Sequence, residues 1–138
     1  MSISRQNLSV VIVSFISEEV IHNCIKSIPK DIKIIVVDNS GNEKFKSSIE
    51  QKYNNIKCIL SSENLGMGAG NNLGLKYSST DYVLILNPDV ILENNTIDEL
   101  INASNKIESF GIIAPIVNSD KNINYKLFSK KKIYFFFT

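Results

Sequence analysis

The sequence has no excess of charge of either sign and very little cysteine. Its 15 basic and 14 acidic residues leave a formal net charge of +1 over 138 residues. Such a balance creates no large single-sign field, so we expect no nucleic acid as a partner. The two cysteines, Cys24 and Cys58, lie in apolar stretches without the spacing of a metal site or a redox motif. We therefore expect buried thiols in a reducing, cytoplasmic setting.

The sequence also has no long apolar segment that would export or anchor it. The first residues contain no apolar core of a signal peptide, and no run reaches the roughly 20 apolar residues of a membrane-spanning helix. A chain of this length with 43% hydrophobic residues is expected to bury one core. We expect a single domain over residues 1–138, with 120–138 forming an incomplete element, in the cytoplasm or at the inner face of the membrane.

The glycine-rich segment 64–74 lacks the features of the two common phosphate loops. Gly66 and Gly68 have no third glycine at the dinucleotide-binding spacing, and no Gly-Lys-Ser/Thr follows them. This disfavours dehydrogenases with that fingerprint and P-loop ATPases. We expect these glycines to allow a tight turn and close packing of a helix, while Asn71 and Asn72 offer amides to a sugar or to the backbone.

Apolar runs alternate with amphipathic segments along the chain. Strands are predicted at 8–15, 32–37, 56–60, 82–86 and 112–117. Pro115 indicates that the last strand lies at an edge of the sheet. Helices are predicted at 18–28, 43–53, up to about 78, and 96–107. Ser17 is the expected N-cap of the first helix, and Thr96 with Glu99 fits a capping box for the last. The alternation predicts a doubly wound, mainly parallel α/β sheet with helices on both faces.

Polar side chains follow three of the predicted strands, at Ser14, at Asp38-Asn39 and at Asn87-Pro88-Asp89. Open α/β sheets bind ligands at these carboxyl ends. One carboxylate suits a nucleotide hydroxyl or imide group, and another suits a divalent cation that substrate phosphates complete. The pattern therefore predicts a nucleotide with Mg²⁺ or Mn²⁺. For Asp38, an Asx turn that closes the strand explains the residue equally well.

In order and content these blocks resemble the family 2 glycosyltransferases of the GT-A fold, especially their bacterial rhamnosyltransferase-like branch. The similar blocks are Ser9–Phe15, Ile35–Ser40, Glu63–Gly74 and Leu86–Val90. The resemblance implies inverting transfer from a UDP-, dTDP- or GDP-linked sugar to a glycan or lipid-linked acceptor, in surface polysaccharide synthesis. It assigns Mn²⁺ or Mg²⁺ to Asp89 with Asn87, and the base or ribose of the nucleotide sugar to Ser14 and Asp38. We expect the nucleotide-sugar site to include Asn64, Gly66, Asn71 and Asn87 as well.

Two departures from the family pattern bear on function. Phe15-Ile16 stands where the family usually has Tyr-Asn, so a side-chain amide near the base is missing. The resemblance also covers only the donor-binding part, so no residue is assigned as the catalytic base. A truncated transferase, an inactive remnant and a non-catalytic nucleotide-sugar module with a partner chain therefore all stay open. A sugar nucleotidyltransferase is disfavoured, because 8–18 contains no glycine-rich basic loop.

The C-terminal segment 125–138 combines lysines with exposed-looking aromatic residues. It is either a contact for a membrane, a partner chain or a second copy, or an incomplete element that packs on the sheet. We favour the second interpretation.

Overall fold

The structure, a computed structural model, describes residues 2–114 and 133–137. In these residues six strands form one sheet: β1 Leu8–Ser14, β2 Lys33–Asp38, β3 Ile56–Leu60, β4 Tyr82–Leu86, β5 Ile112–Ile113 and β6 Ile133–Phe137. The helices are α1 Glu18–Ser27, α2 Glu43–Lys52, α3 Gly66–Tyr77 and α4 Thr96–Ser104, and a short 3-10 helix, Arg5–Asn7, precedes β1. The strand order is β3-β2-β1-β4-β6-β5, and every neighbouring pair is parallel.

The central strands are apolar on both faces because helices cover both faces. In β1, Val10 and Ile12 belong to a large core with the buried side chains of α1, α2 and α4. Val11 points the other way, into a smaller core with Val37 and partly buried residues of α3. This confirms the predicted doubly wound parallel sheet. Both cysteines are free and buried, as predicted. No helix in the described ranges is long and apolar enough to cross a membrane.

The glycine-rich segment differs most from the prediction, because most of it is helix and not loop. Helix α3 begins at Gly66 and runs through the glycines up to Tyr77. Glycine is a poor helix former in isolation. Here Gly70 and Gly74 bring the helix against the side chains of Val13 and Val11, so packing on the sheet overrides the local propensity.

The predicted N-cap of α1 is at the right residue, but its side chain does not form a capping hydrogen bond. Ser17 is the N-cap residue of α1, yet its hydroxyl donates to the Phe15 carbonyl at 3.1 Å and bonds no helix N–H. In α4 the N-cap is Asn95, without a side-chain cap bond, so the Thr96–Glu99 capping box was wrong. The predicted helix 96–107 was too long, because α4 ends at Ser104 and Ile107 is exposed.

The C-terminal part of the sheet contains both edge and interior strands. β5 is two residues long and lies at the edge, as Pro115 indicated. β6 pairs with β4 and β5, so residues 133–137 form a strand within the sheet. The remainder of the predicted strand 112–117 and of the segment 125–138 lies outside the described residues.

Candidate functional site

The loops after β1, β2 and β4 meet at one end of the sheet. The chain leaves β1 toward β2 and β3 on one side, then returns to β4 on the other side through α3. Ser14 is paired with Asp38, and Ile12 with Leu86, so the three strands end almost level. The point where the strand order reverses is the place where doubly wound sheets bind ligands. A cavity of about 220 Å³ opens there, and its lining includes Phe15, Asn39, Asn64, Asn71, Asn87 and Pro88.

Asn71 brings an unpaired amide to this cavity. Its position on α3 leaves the residue only 6% exposed. Its side-chain amide has no hydrogen-bond partner within the part of the chain that the structure describes. The amide atoms themselves are not enclosed, because among the described residues only Asn39 Oδ1 is a buried side-chain polar atom without a partner. The amide of Asn71 is therefore free to bond a ligand in the cavity.

Asn39 contributes a second unpaired group, and its orientation is fixed. The Asn39 Nδ2 donates to the Gly66 carbonyl at 3.1 Å and to Asn64 Oδ1 at 3.4 Å. Asn64 Oδ1 also accepts from the Gly66 N–H at 2.9 Å. Because both partners of Nδ2 are acceptors, the amide cannot be turned around without losing these bonds. Asn39 Oδ1 is left buried and without a partner.

Gly66 is required at the turn that holds Asn64 and Asn39. Its φ of +71° lies in the left-handed region, where a side chain would be strained. The predicted residues Asn64, Gly66 and Asn71 therefore meet at one cavity. Asn39 was seen in the sequence only as the neighbour of Asp38 and was not assigned to the site. Its position directly after a strand-ending aspartate was the available signal.

Asp38 and Ser14 are buried behind the cavity and do not line it. The Asp38 carboxylate accepts from the Ser40 hydroxyl at 2.8 and 2.9 Å and from the Asn42 N–H at 2.8 Å. This is the turn that the sequence offered as an alternative for Asp38. The Ser14 carbonyl accepts from the Asn39 N–H at 2.8 Å. In the structure, both residues therefore fix the backbone that carries Asn39, and their direct contact with a nucleotide stays a prediction.

The turn after β4 carries the predicted metal ligands. The Val90 N–H donates to the Asn87 carbonyl at 3.2 Å, which closes the turn around Pro88 and Asp89. Asn87 lines the cavity, whereas Asp89 is exposed beside it. Mg²⁺ and Mn²⁺ prefer such oxygen ligands, and one carboxylate suffices when phosphates supply the others. The described residues contain no cluster of three or more His, Cys, Asp or Glu side chains arranged for a metal. The turn therefore fits a cation that a diphosphate helps to hold.

Part of the cavity lining is apolar. Phe15, Met67 and Pro88 line it, and the first two are exposed large side chains, at 48% and 58%. The next residue, Ile16, has a φ of +51°, a costly conformation for a β-branched side chain. Strain of this kind persists where the surrounding structure imposes it, commonly at ligand sites. Apolar walls facing a few fixed amides are typical of sites for flat, polar ligands.

A larger groove of about 470 Å³ at the opposite end of the sheet lacks this polarity pattern. Its lining includes Ser9 and Thr80. The hydroxyl of Thr80 bonds Ser9 at 2.8 Å and Ser78 at 3.0 Å, so these groups satisfy one another. We therefore place the candidate site at the carboxyl ends of the strands.

Residues 9–137 match the family described as "Glycosyl transferase family 2". The chain belongs to this family. It is 32% identical over 121 residues to the low-salt glycan biosynthesis hexosyltransferase Agl10 of Haloferax volcanii, which covers 85% of this chain and 38% of that protein. It is 33% identical over 95 residues to an uncharacterized glycosyltransferase, RP339, of Rickettsia prowazekii, covering 69% of this chain and 30% of the relative. The chain thus spans about a third of the length of these relatives.

Solved structures share the fold of this family 2 chain. TarS residues 1–349 of S. aureus superpose with a TM-score of 0.69 at 22% identity, over 86% of this chain and 38% of TarS. The mannosyltransferase PcManGT of Pyrobaculum calidifontis, solved with GDP-Man and Mn²⁺, gives a TM-score of 0.66 at 16% identity, over 81% and 36% of the two chains. At such identities the likeness establishes the fold, which is the GT-A fold predicted from the sequence.

Proposed function

We propose that this family 2 chain binds the nucleotide-diphosphate sugar donor of a glycosyl transfer in the cavity between the ends of β1 and β4. The observation that carries the proposal is the buried, unpartnered Asn39 Oδ1, which lies with the Asn71 amide at a cavity whose lining is partly apolar. A nucleotide base or ribose offers donors and acceptors to such amides and a flat face to Phe15. Solved complexes of TarS with UDP-GlcNAc and UDP, and of PcManGT with GDP-Man, support a nucleotide-linked donor.

The cation in this proposal is held by Asp89 together with Asn87. Mn²⁺ in the PcManGT complex supports a divalent metal. Its chemical contribution when bound is to neutralise the charge that develops on the nucleotide leaving group. Asp89 provides the single negative charge, and the Asn87 amide oxygen provides a neutral ligand beside the cavity. Both residues orient the diphosphate relative to the amides that bind the nucleoside.

The reaction in the whole protein is proposed to be inverting transfer to the hydroxyl of a glycan or a lipid-linked acceptor. Such a transfer needs a general base that takes the proton of the acceptor hydroxyl. We assign no residue of this chain to that role. The described chain acts on the donor side, by binding and orienting the nucleotide sugar. The name of the Haloferax relative, a glycan biosynthesis hexosyltransferase, supports a role in surface polysaccharide synthesis.

The proposal treats residues 1–138 as one GT-A domain in the cytoplasm or at the inner face of the membrane. A non-catalytic module that supplies the donor to a partner chain or a second copy uses the same cavity. The binding measurement below applies equally to both forms, because it depends only on the donor site.

The test is calorimetric titration of the chain with UDP, dTDP and GDP, each with and without Mn²⁺. We expect binding that Mn²⁺ strengthens, and the preferred base identifies the donor class. Asp89→Ala is expected to abolish the gain from Mn²⁺, because it removes the only charge offered to the cation by this turn. Asn87→Ala is expected to reduce it less.

Asp81→Ala is the matched control, since Asp81 is an exposed aspartate just before the other end of β4. It is expected to bind like the wild type. The absence of binding to all three nucleotides would contradict the donor site. Equal losses for Asp89→Ala and Asp81→Ala would contradict the metal assignment alone.

A further inference from the structure

Helix α1 holds the segment from Asn87 to Leu92 at both of its ends. At the first end, the Cys24 thiol lies 3.5 Å from the Asn87 carbonyl oxygen. At the second end, the Leu92 N–H donates to the Ser27 hydroxyl at 3.0 Å, and the Leu92 side chain is buried in the core. Asp89 lies midway between these two attachments. The position of its carboxylate therefore depends on α1 as well as on β4.

The Ser27 hydroxyl can accept from Leu92 because its own proton is committed elsewhere. It donates to the Cys24 carbonyl, one turn earlier in α1, at 2.6 Å. A carbonyl oxygen only accepts, so the direction of this bond is settled. The lone pairs of the hydroxyl are then left for an N–H from outside the helix, and Leu92 provides it.

The bond of Cys24 is consistent with a protonated thiol. Burial, followed by the nearby charge of Asp89, raises the pKa of Cys24 to about 12. The S–H is therefore retained at neutral pH and donates to the Asn87 carbonyl as a weak hydrogen bond.

We propose that Ser27 is a positioning residue for the metal turn: by fixing Leu92 to α1, it sets where Asp89 presents its carboxylate to the cation and the diphosphate. This inference rests on the donor site proposed above. Residues that orient metal ligands commonly change metal affinity by 10- to 100-fold when they are removed. Ser27 contacts neither nucleotide nor cation in this scheme, and it acts only through the backbone of the turn.

Ser27 could instead stabilise only its own helix. That role can be tested separately, because α4 contains a serine whose hydroxyl, among the described residues, bonds only within its helix. Ser104 is also the last residue of its helix, is 2% exposed, and donates to the Leu100 carbonyl at 2.6 Å. The Ser104 hydroxyl accepts no bond from another segment in the described part of the chain. Ser104→Ala thus removes the same group from an equivalent place without releasing the metal turn.

The experiment compares Ser27→Ala, Ser27→Thr and Ser104→Ala by titration with UDP, with and without Mn²⁺, and by amide hydrogen exchange at Leu92. For Ser27→Ala we expect about a tenfold weaker Mn²⁺-dependent binding of UDP, little change without Mn²⁺, and faster exchange at Leu92. Ser27→Thr keeps a hydroxyl and is expected to restore both properties. Ser104→Ala is expected to leave both unchanged.

The proposal would be overturned by unchanged exchange at Leu92 in Ser27→Ala, or by a loss of Mn²⁺-dependent binding no larger than in Ser104→Ala. An equal loss with and without Mn²⁺ would also overturn it, because that points to a general disturbance of the cavity. Failure of the donor site itself is separate, since the wild type would then bind no nucleotide under any condition. Exchange at Leu92 would still report whether Ser27 anchors the turn.

Discussion

At the scale of single residues, the two asparagines proposed to bind the nucleotide differ from Asn55 and Asn105 in the bonds that they form. Asn55 donates to the Ile32 carbonyl at 2.7 Å, and Asn105 bonds the backbone of Ile3 at both its oxygen and its nitrogen. Those asparagines close loops and join elements. Asn39 carries the same side chain but leaves a buried oxygen without a partner, which costs free energy in the absence of a ligand. The amide of Asn71 likewise forms no bond among the described residues. This contrast is why we propose both as binding residues.

Replacement of Asn71 is expected to weaken nucleotide binding without lowering stability. Asn71→Ala removes an amide that bonds nothing in the described protein, so the free energy of unfolding should stay constant or rise slightly. Binding should weaken by about 1 kcal/mol, a factor of roughly five, for one lost hydrogen bond. Titration with UDP and Mn²⁺ measures the first effect, and urea unfolding measures the second.

Two control variants are needed to interpret the result for Asn71→Ala. Asn72→Ala alters the adjacent exposed amide on α3 and is expected to change neither property. Asn55→Ala removes a bond inside the protein and is expected to lower stability while binding is retained. If Asn71→Ala behaved like Asn55→Ala, the assignment of Asn71 to the ligand would be wrong.

At this scale, the sequence predicted which residues line the cavity better than it predicted what each of them does. Asn64, Gly66, Asn71 and Asn87 were chosen from the sequence, and all four line the cavity. The sequence left open whether the Asp38 carboxylate closes a turn or meets the ligand; in the structure it is engaged by Ser40 and Asn42, and the next residue lines the cavity. Which of two consecutive polar residues reaches the cavity depends on this local turn and on bonds of Asn39 to segments distant in the sequence.

At the scale of elements, the existence of helix α3 was predicted from the overall pattern, but its first residue was not predicted from local helix propensity. The alternation of strands and helices predicted the four α-helices of the described residues, and β3 was predicted with its bounds as the structure has them. The start of α3 was missed because glycine disfavours helix in isolation. In the structure, the absence of side chains at Gly70 and Gly74 is what lets this helix lie close to β1 and so form one wall of the cavity.

Two glycines of α3 are expected to respond in opposite directions to alanine. At Gly74 a Cβ would overlap the Val11 side chain and lie 3.2 Å from Val37, so Gly74→Ala should destabilise the fold by about 1–3 kcal/mol through overpacking. At Gly68 nothing lies within 4 Å of the added carbon, so Gly68→Ala should stabilise by about 0.5–1 kcal/mol through helix propensity. Urea unfolding of both variants measures the difference. Equal effects would contradict the close packing of α3 on β1.

At the scale of the whole molecule, the N-terminal segment is tied to α4 across the sequence. Arg5 bonds both carboxylate oxygens of Asp98, at 2.8 and 2.6 Å, and Ile3 exchanges backbone bonds with the Asn105 side chain. Two parallel hydrogen bonds between an arginine and a carboxylate are the surface ion-pair geometry that contributes measurably to stability. Exposure to solvent keeps the contribution small. These bonds join the N-terminal segment to α4 at the end of the sheet opposite to the cavity.

This ion pair predicts a specific acid dependence of stability. The hydrogen bond from Arg5 holds the pKa of Asp98 below its usual value, so the folded state binds the Asp98 proton less readily than the unfolded state. The stabilisation is therefore present above the ordinary pKa of aspartate and is lost as the pH falls through the lowered pKa. The free energy difference between the wild type and Asp98→Asn should be constant near neutral pH and should disappear in acid. Urea unfolding at a series of pH values measures this difference, and subtraction of the variant cancels the other titrating groups.

Glu99→Gln is the control for Asp98→Asn, since Glu99 is the adjacent exposed carboxylate and forms no ion pair among the described residues. The difference in free energy of unfolding between Glu99→Gln and the wild type is not expected to disappear in acid in this way. High salt should reduce the Asp98 effect at neutral pH, because exposed pairs are screened. Nucleotide binding should be the same in Asp98→Asn as in the wild type, because the pair and the cavity lie at opposite ends of the sheet. A pH-independent difference for Asp98→Asn would show that the carboxylate acts through packing rather than through its charge.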